Sequence, residues 1–352
     1  MAIGKEVGDV SDTTLRFLRQ IGVEHVGLPA QTSTEPARSR PLVPPPQEEP
    51  AGSQPPPWDG AVLRGLRDRV ERFGLVASAI ALPVSGNVLL GRPGADADLA
   101  AIRRSIEAAG RAGFEVVTYS FSALRASEGY RPLEDHGRGG AHVRSFDASR
   151  IEGLPPLSSV GRHGKDELWD RLRGFLRAAV PAAEAAGVRL AVHPNDPPVA
   201  EFRGVAQPVR TLDDLKRLIA TVDSPANSVY LDTGVLTEMG EDAPAAIRWL
   251  GERDRLGAVH FRNVHVEVPF QRYIETFLDD GTATCRRACG LSRGSGTPAC
   301  SSPITHLGSM AIPLIPGSGG PSRSARSSPS AAQPRRARKI GCRRGRRHEE
   351  RP

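Results

Sequence analysis

The chain has 352 residues, 25% charged and 39% hydrophobic, with a formal net charge of +7. That length can bury one large core or two smaller ones. No stretch approaches the ~20 apolar residues of a membrane-spanning helix, and Met1 to Asp9 lacks the basic-then-apolar order of a secretory leader. The positive charge is local. From Gly281 onward there are 14 Lys+Arg and 2 Asp+Glu, net +12, which leaves 33 basic and 38 acidic residues, net −5, in the first 280. The four cysteines (Cys285, Cys289, Cys300, Cys342) all follow Gly281 as well. The body therefore has no thiols for a disulfide framework or a Cys-based zinc site.

Along the body, short apolar runs alternate with helical patterns. A helix over Asp12–Gln20 is followed by a strand over Val23–Leu28. Residues 29–57, with Pro44-Pro45-Pro46 and Pro55-Pro56-Pro57, are too polar and Pro-rich to pack and read as a surface loop. Then come helix Asp59–Phe73, strand Leu75–Leu82, helix Asp96–Ala112 and strand Phe114–Phe121. A Gly- and charge-rich stretch from Arg125 to His163 reads as a long loop. Helix Lys165–Ala186, strand Val188–His193, helix Leu212–Val222, strand Ser228–Asp232, helix Ala243–Arg253 and strand Gly257–Phe261 complete the body. Short, continuously apolar strands are buried on both faces, as in a parallel sheet. Six such units in about 280 residues fit a (β/α)8 TIM barrel missing its end better than a doubly wound sheet. Residues 1–280 are thus expected to form the barrel domain. Residues 281–352, rich in Ser, Arg, Gly and Pro and without periodicity, are expected to be a disordered basic tail.

A parallel barrel builds its active site at the C-terminal ends of its strands. Three successive strands end there in His193, Asp232 and His260. Taken singly, a His at a strand end is more often a hydrogen-bonded rim residue. Three such residues at equivalent places favour a metal site. Imidazole and carboxylate donors suit Mn²⁺, Fe²⁺, Zn²⁺ or Mg²⁺.

These residues carry a family resemblance. Leu190-Ala191-Val192-His193-Pro194-Asn195-Asp196-Pro197-Pro198 resembles the His-Pro-Asp-Asp-Pro-Pro motif of mannonate dehydratases, and His260-Phe261-Arg262-Asn263-Val264 matches that family's His-Phe-Arg-Asn-Val. Ser224-Pro225-Ala226-Asn227, Gly137-Arg138-Gly139-Gly140-Ala141 with Phe146-Asp147, and Tyr119-Ser120-Phe121 resemble further family segments in the same order. The resemblance spans about Ser11 to Gly281. It implies a xylose-isomerase-like barrel that uses a divalent metal to dehydrate D-mannonate to 2-keto-3-deoxy-D-gluconate, in hexuronate catabolism, in the cytoplasm.

By the resemblance, His193 and His260 are metal ligands, and Asp232 stands where the family usually has Cys. A carboxylate in place of a thiolate makes the site harder and less suited to zinc, so Mn²⁺ or Fe²⁺, with Mg²⁺ as a further option, is the implied cofactor. Arg262 suits either a bidentate clamp on the substrate carboxylate or a structural ion pair. Asn195, Arg138 and Tyr119 are weaker substrate-contact candidates, and Asp196 is expected to orient its loop. The implied partner is a small sugar acid, with no nucleic acid and no membrane. A homo-oligomer is compatible with the reading.

The family's remaining ligand and its acid–base group lie in a later Pro-Asp-His segment, which this chain lacks, so its catalytic residues are unassigned. Back-translated with free codon choice and read from the third base, Gly281-Thr282-Ala283-Thr284-Cys285 can give Asp-Cys-Asp-Met. In the same frame, Ser295 to Leu307 can give a run containing Pro-Asp-His. The tail is therefore read as the family's end out of frame, in a chain of impaired activity. Two alternatives are a sugar isomerase or epimerase of the same barrel class, and a non-catalytic protein that binds through a basic tail. The tail lacks the interleaved aromatics of a nucleic-acid binder, since no Phe, Tyr or Trp follows Phe277.

Overall fold

In a computed structural model, the described residues are 3–36, 43, 45–46, 57–282 and 300–301. The chain divides into two units, Met1–Met310 and Ala311–Pro352, and every described residue belongs to the first. Most of the Pro-rich segment, and the basic tail apart from 281–282 and 300–301, lie outside the described residues.

The elements in chain order are β1 (Ile3–Glu6), α1 (Asp12–Gln20), β2 (His25–Leu28), α2 (Gly60–Glu71), β3 (Val76–Ala81), α3 (Gly86–Leu90), α4 (Ala95–Ala112) and β4 (Val116–Ser120). They continue with β5 (Tyr130–Gly137), β6 (Ala141–Asp147), α5 (Lys165–Ala186), β7 (Arg189–His193), the short β8 (Glu201–Phe202) and β9 (Val205–Ala206), and α6 (Leu212–Thr221). The last are β10 (Asn227–Asp232), α7 (Thr233–Glu238), α8 (Ala243–Gly251), β11 (Leu256–His260), β12 (Asn263–Val268), β13 (Arg272–Thr276) and β14 (Cys300–Ser301).

Parallel strands close a barrel in the order β1-β14-β11-β10-β7-β4-β3-β2. This is the TIM-barrel class expected from the strand composition. All six expected strands are present, and β10 and β11 are buried along their whole length. The ring gains β1, which four residues with Gly4 and two charges among them had hidden. Its last place is filled, among the described residues, by two, with Cys300 and Ser301 opposite Ile3 and Gly4 on one side and Val259 and His260 on the other.

The stretch from Arg125 to His163, expected to be a loop, instead contains the β5–β6 hairpin. It joins β12 and β13 in an antiparallel sheet ordered β12-β13-β6-β5. At the edge of this sheet β5 carries mostly exposed, polar residues and gives no apolar run to detect. Its two halves leave the barrel after β4 and after β11 and meet over the C-terminal face. Their apolar side is an aromatic cluster, with Tyr130 and Phe146 centroids 5.0 Å apart and Phe146 stacked on Tyr273 at 5.1 Å.

On the outside of the barrel, α5 buries Trp169, Leu172, Phe175 and Leu176 against the strands. Gly187 ends the helix in the left-handed region at φ 67°. No helix among the described residues is long and apolar enough to cross a membrane.

Candidate metal centre

The side chains at the ends of β7, β10 and β11 converge. His193, Asp232 and His260 each offer one ligand atom, and these atoms lie within 4.8 Å of one another. Asp232 Oδ2 is 2.7 Å from His260 Nδ1 and 3.5 Å from His193 Nε2. The register sets this up, because Asp232 lies directly opposite His260 across β10 and β11. His193 Nδ1 meets the Pro194 carbonyl at 2.7 Å. An N–H at that nitrogen donates to the carbonyl and turns Nε2 towards Asp232.

Asp232 has two roles. Its Oδ1 accepts the Val235 backbone N–H at 2.8 Å and so caps α7, while Oδ2 faces the imidazoles. Burial opposes its charge, but the Arg262 guanidinium and the two imidazoles hold the carboxyl well below the usual carboxylate range. Burial also disfavours a charged His193. The hydrogen bond and charge of Asp232 outweigh it and raise that pKa. Two nitrogens and a carboxylate oxygen held this way match the donor set of a Mn²⁺, Fe²⁺ or Zn²⁺ site, and the second partners of His193 and Asp232 fix their orientation.

Behind the triad is a buried charge network. Arg262, 2% exposed, places Nε 3.3 Å from both Asp232 oxygens, Nη1 2.6 Å from Glu275 and Nη2 2.7 Å from Glu238 and 3.3 Å from Asp196. Arg144 donates to the same Glu275 oxygen at 2.6 Å. Tyr130 donates to Asp196 at 2.8 Å and shares a 2.7 Å hydrogen bond with the Tyr273 hydroxyl. Burial, joined by Asp196, Asp232 and Glu275, pushes the Glu238 carboxyl well above its usual range against the pull of Arg262. Gly234 makes the packing possible, since a Cβ there would lie 2.7 Å from Arg262 Nε.

The other expected contacts are placed differently. The Asn195 amide is taken up by backbone, with Nδ2 donating to the Phe121 carbonyl at 3.2 Å and Oδ1 accepting from Val209 N at 2.7 Å. Tyr119 is buried against Phe175 of α5, with ring centroids 5.0 Å apart, on the helix side of β4. Arg138 lies at the exposed β5–β6 turn, paired with Asp279 at 2.5 Å and over the Phe277 ring. None of these three contacts the triad. Asp196 does orient its loop, through Tyr130 and Arg262.

Sequence reading passed over Glu238, Glu275 and Arg144. Glu238 left a signal, as the acid that follows Val235-Leu236-Thr237 in a run buried throughout. Glu275 and Arg144 left none, because 131 residues separate them.

Residues 160–286 match the family model described as D-mannonate dehydratase (UxuA). Over that stretch the chain is similar to mannonate dehydratases. It is 26% identical over 235 residues to mannonate dehydratase 2 of Halalkalibacterium halodurans, and 28% identical over 242 residues to the mannonate dehydratase of Thermotoga neapolitana. Each alignment takes in 59% of this chain and 66% of the relative, so the chain spans just under two thirds of the length of the curated relatives it matches. The crystal structure of mannonate dehydratase from Streptococcus suis serotype 2 superposes with a TM-score of 0.71 at 22% identity, over 86% of this chain and 82% of that one. D-psicose 3-epimerase from Clostridium cellulolyticum H10 shares the fold at a TM-score of 0.53 and 12% identity, over 86% of this chain and 84% of that one.

Proposed function

We propose that this chain carries the metal centre of a hydro-lyase acting on a sugar acid, with D-mannonate as substrate and 2-keto-3-deoxy-D-gluconate and water as products. The observation that carries the reading is the convergence of His193, Asp232 and His260 at the ends of β7, β10 and β11, in a chain related to mannonate dehydratases. The cofactor is a divalent ion, Mn²⁺ or Fe²⁺ with Mg²⁺ as a further option, held by those three residues. The place of action is the cytoplasm, in hexuronate breakdown.

A bound divalent ion would supply Lewis acidity at the substrate's carboxylate and adjacent hydroxyl, making the C2 hydrogen more acidic. The chain's own residues supply the frame. Pro194 fixes the tautomer of His193. Arg262 keeps Asp232 ionised in a buried place, and its fork is engaged by four protein carboxylates. We therefore assign Arg262 to holding Asp232 rather than to clamping substrate. The overall change removes the C2 proton and the C3 hydroxyl, and the resulting enol tautomerises to the 2-keto acid. The proton-transfer pair implied by family resemblance is missing from this sequence. With the shifted-frame reading of the segment after Gly281, this predicts weak turnover, since loss of a general acid–base group costs roughly 10²–10⁴-fold in rate.

The test is formation of 2-keto-3-deoxy-D-gluconate from D-mannonate with added Mn²⁺, by this chain and by a version with its frame restored at Gly281. Activity in the restored version and little in this one is expected. Equal activity would refute the frame argument, and silence in both would remove D-mannonate as substrate. Epimerase chemistry is the second reading, favoured by an oxygen donor, Asp232, at the place of the thiolate. It would give an isomer of a ketose with no loss of water.

A further inference from the structure

A second polar pair spans the barrel mouth. Glu6, half-buried, is the last residue of β1. Tyr230, two residues before Asp232 on β10, donates its hydroxyl to Glu6 Oε1 at 2.8 Å. The Tyr230 ring lies edge-on to His193 with centroids 5.4 Å apart and is stacked on His260 at 5.7 Å. The ring thus supports the two imidazoles, while its hydroxyl reaches across the interior to the β1 wall.

Space has been kept around this pair. A Cβ on Gly27 would stand 3.3 Å from Glu6 Cγ, so a side chain there would crowd the glutamate. Gly4, Gly27, Ala79 and Ala258 join Glu6 and Tyr230 in lining a cavity of about 30 Å³. A single water needs roughly 10–15 Å³ on the same measure. Inward-facing bulk is therefore missing beside Glu6, whose carboxylate is oriented by a phenol.

We propose that Glu6, oriented by Tyr230, is a recognition subsite for the hydroxyl-bearing arm of the substrate; this rests on the sugar-acid reading above. With the substrate's carboxyl end at the triad, its remaining hydroxyls are donors in need of acceptors. A carboxylate with one oxygen tied to a phenol offers the other in a fixed direction, and charge-assisted hydrogen bonds are the stronger kind. The small cavity lets a substrate hydroxyl take the place of a water. A single carboxylate and a neutral phenol make a poor cation site, which leaves polyol recognition as the chemistry that the pair fits.

The experiment is calorimetric titration of the full chain loaded with Mn²⁺. The probes are D-mannonate and D-lactate, which keeps the carboxylate and its neighbouring hydroxyl but has no polyol arm. Glu6→Gln and Tyr230→Phe are expected to weaken D-mannonate binding by about tenfold to a hundredfold. They should leave D-lactate within about twofold and Mn²⁺ affinity unchanged, since neither residue is a ligand. D-Mannonate bound equally by wild type and Glu6→Gln would overturn the subsite and leave the sugar-acid reading standing. Loss of Mn²⁺ or D-lactate binding in step with D-mannonate would place Glu6 in support of the metal centre and also overturn the subsite. A wild-type chain with no affinity for D-mannonate would overturn the sugar-acid reading and the subsite with it.

Discussion

Replacing Arg262 with Gln tests the reading of the buried network. The guanidinium is 2% exposed and touches Asp232, Glu238, Glu275 and Asp196. Glutamine cannot supply the charge, so Asp232 and Glu275 would stay buried with much of their compensation gone. Arg144 would remain as the other cation on Glu275. Breaking one partner out of a buried pair typically costs about 3–5 kcal/mol, against about 0–1 kcal/mol for an exposed pair. The upper figure suits a residue that serves several carboxylates at once. Urea unfolding followed by circular dichroism would read the difference. Adding Glu238→Gln to Arg262→Gln should recover part of the loss, because the two residues are in contact and their effects do not add. A destabilisation below about 1 kcal/mol would refute the reasoning. If D-mannonate affinity fell sharply at unchanged stability, Arg262 would instead be a substrate clamp.

Asp232→Cys should shift metal preference towards Zn²⁺ relative to Mn²⁺ in competition titrations, since thiolate is the softer donor. The same change removes the cap on α7, so a stability loss of about 1 kcal/mol should accompany it. Gly234→Ala places a methyl 2.7 Å from Arg262 Nε and 3.1 Å from its Cγ; with the arginine held on all sides, an overpacking cost of about 1–3 kcal/mol is expected in urea unfolding. Thr211→Ala deletes the 3.0 Å cap on Asp214 N at the start of α6 and should cost about 1 kcal/mol without changing Mn²⁺ affinity.

The barrel was legible where periodicity was strong. Helix α5 begins and ends at the expected residues, Lys165 and Ala186, because a 22-residue amphipathic run closed by Gly187 leaves little ambiguity. The convergence of His193, Asp232 and His260 was legible because strand ends in a parallel barrel all face one rim, so the three could be placed together from strand assignment alone. β1 was hidden by its shortness and by Lys5 and Glu6. The β5–β6 hairpin was hidden because its edge strand β5 is mostly exposed and polar.

The charge network was illegible for another reason. Arg262 could be read equally as clamp or structural pair, and the deciding partner, Glu275, lies on a strand with no apolar signature. Asn195 shows the opposite failure. Its motif is specific, but the side chain is occupied by the backbone at Phe121 and Val209. A motif match carries the position and not the direction in which the side chain points.

The central claim is that three strand-end side chains hold one divalent ion. The most direct test loads the purified chain with Mn²⁺, removes free ion by gel filtration and counts bound metal by mass spectrometry. The wild type, His193→Ala and His260→Ala are compared. The account predicts about one ion per chain in the wild type and loss of most of it in either variant, because each removes one of the three candidate ligands found among the described residues. Metal content unchanged in both variants would contradict it.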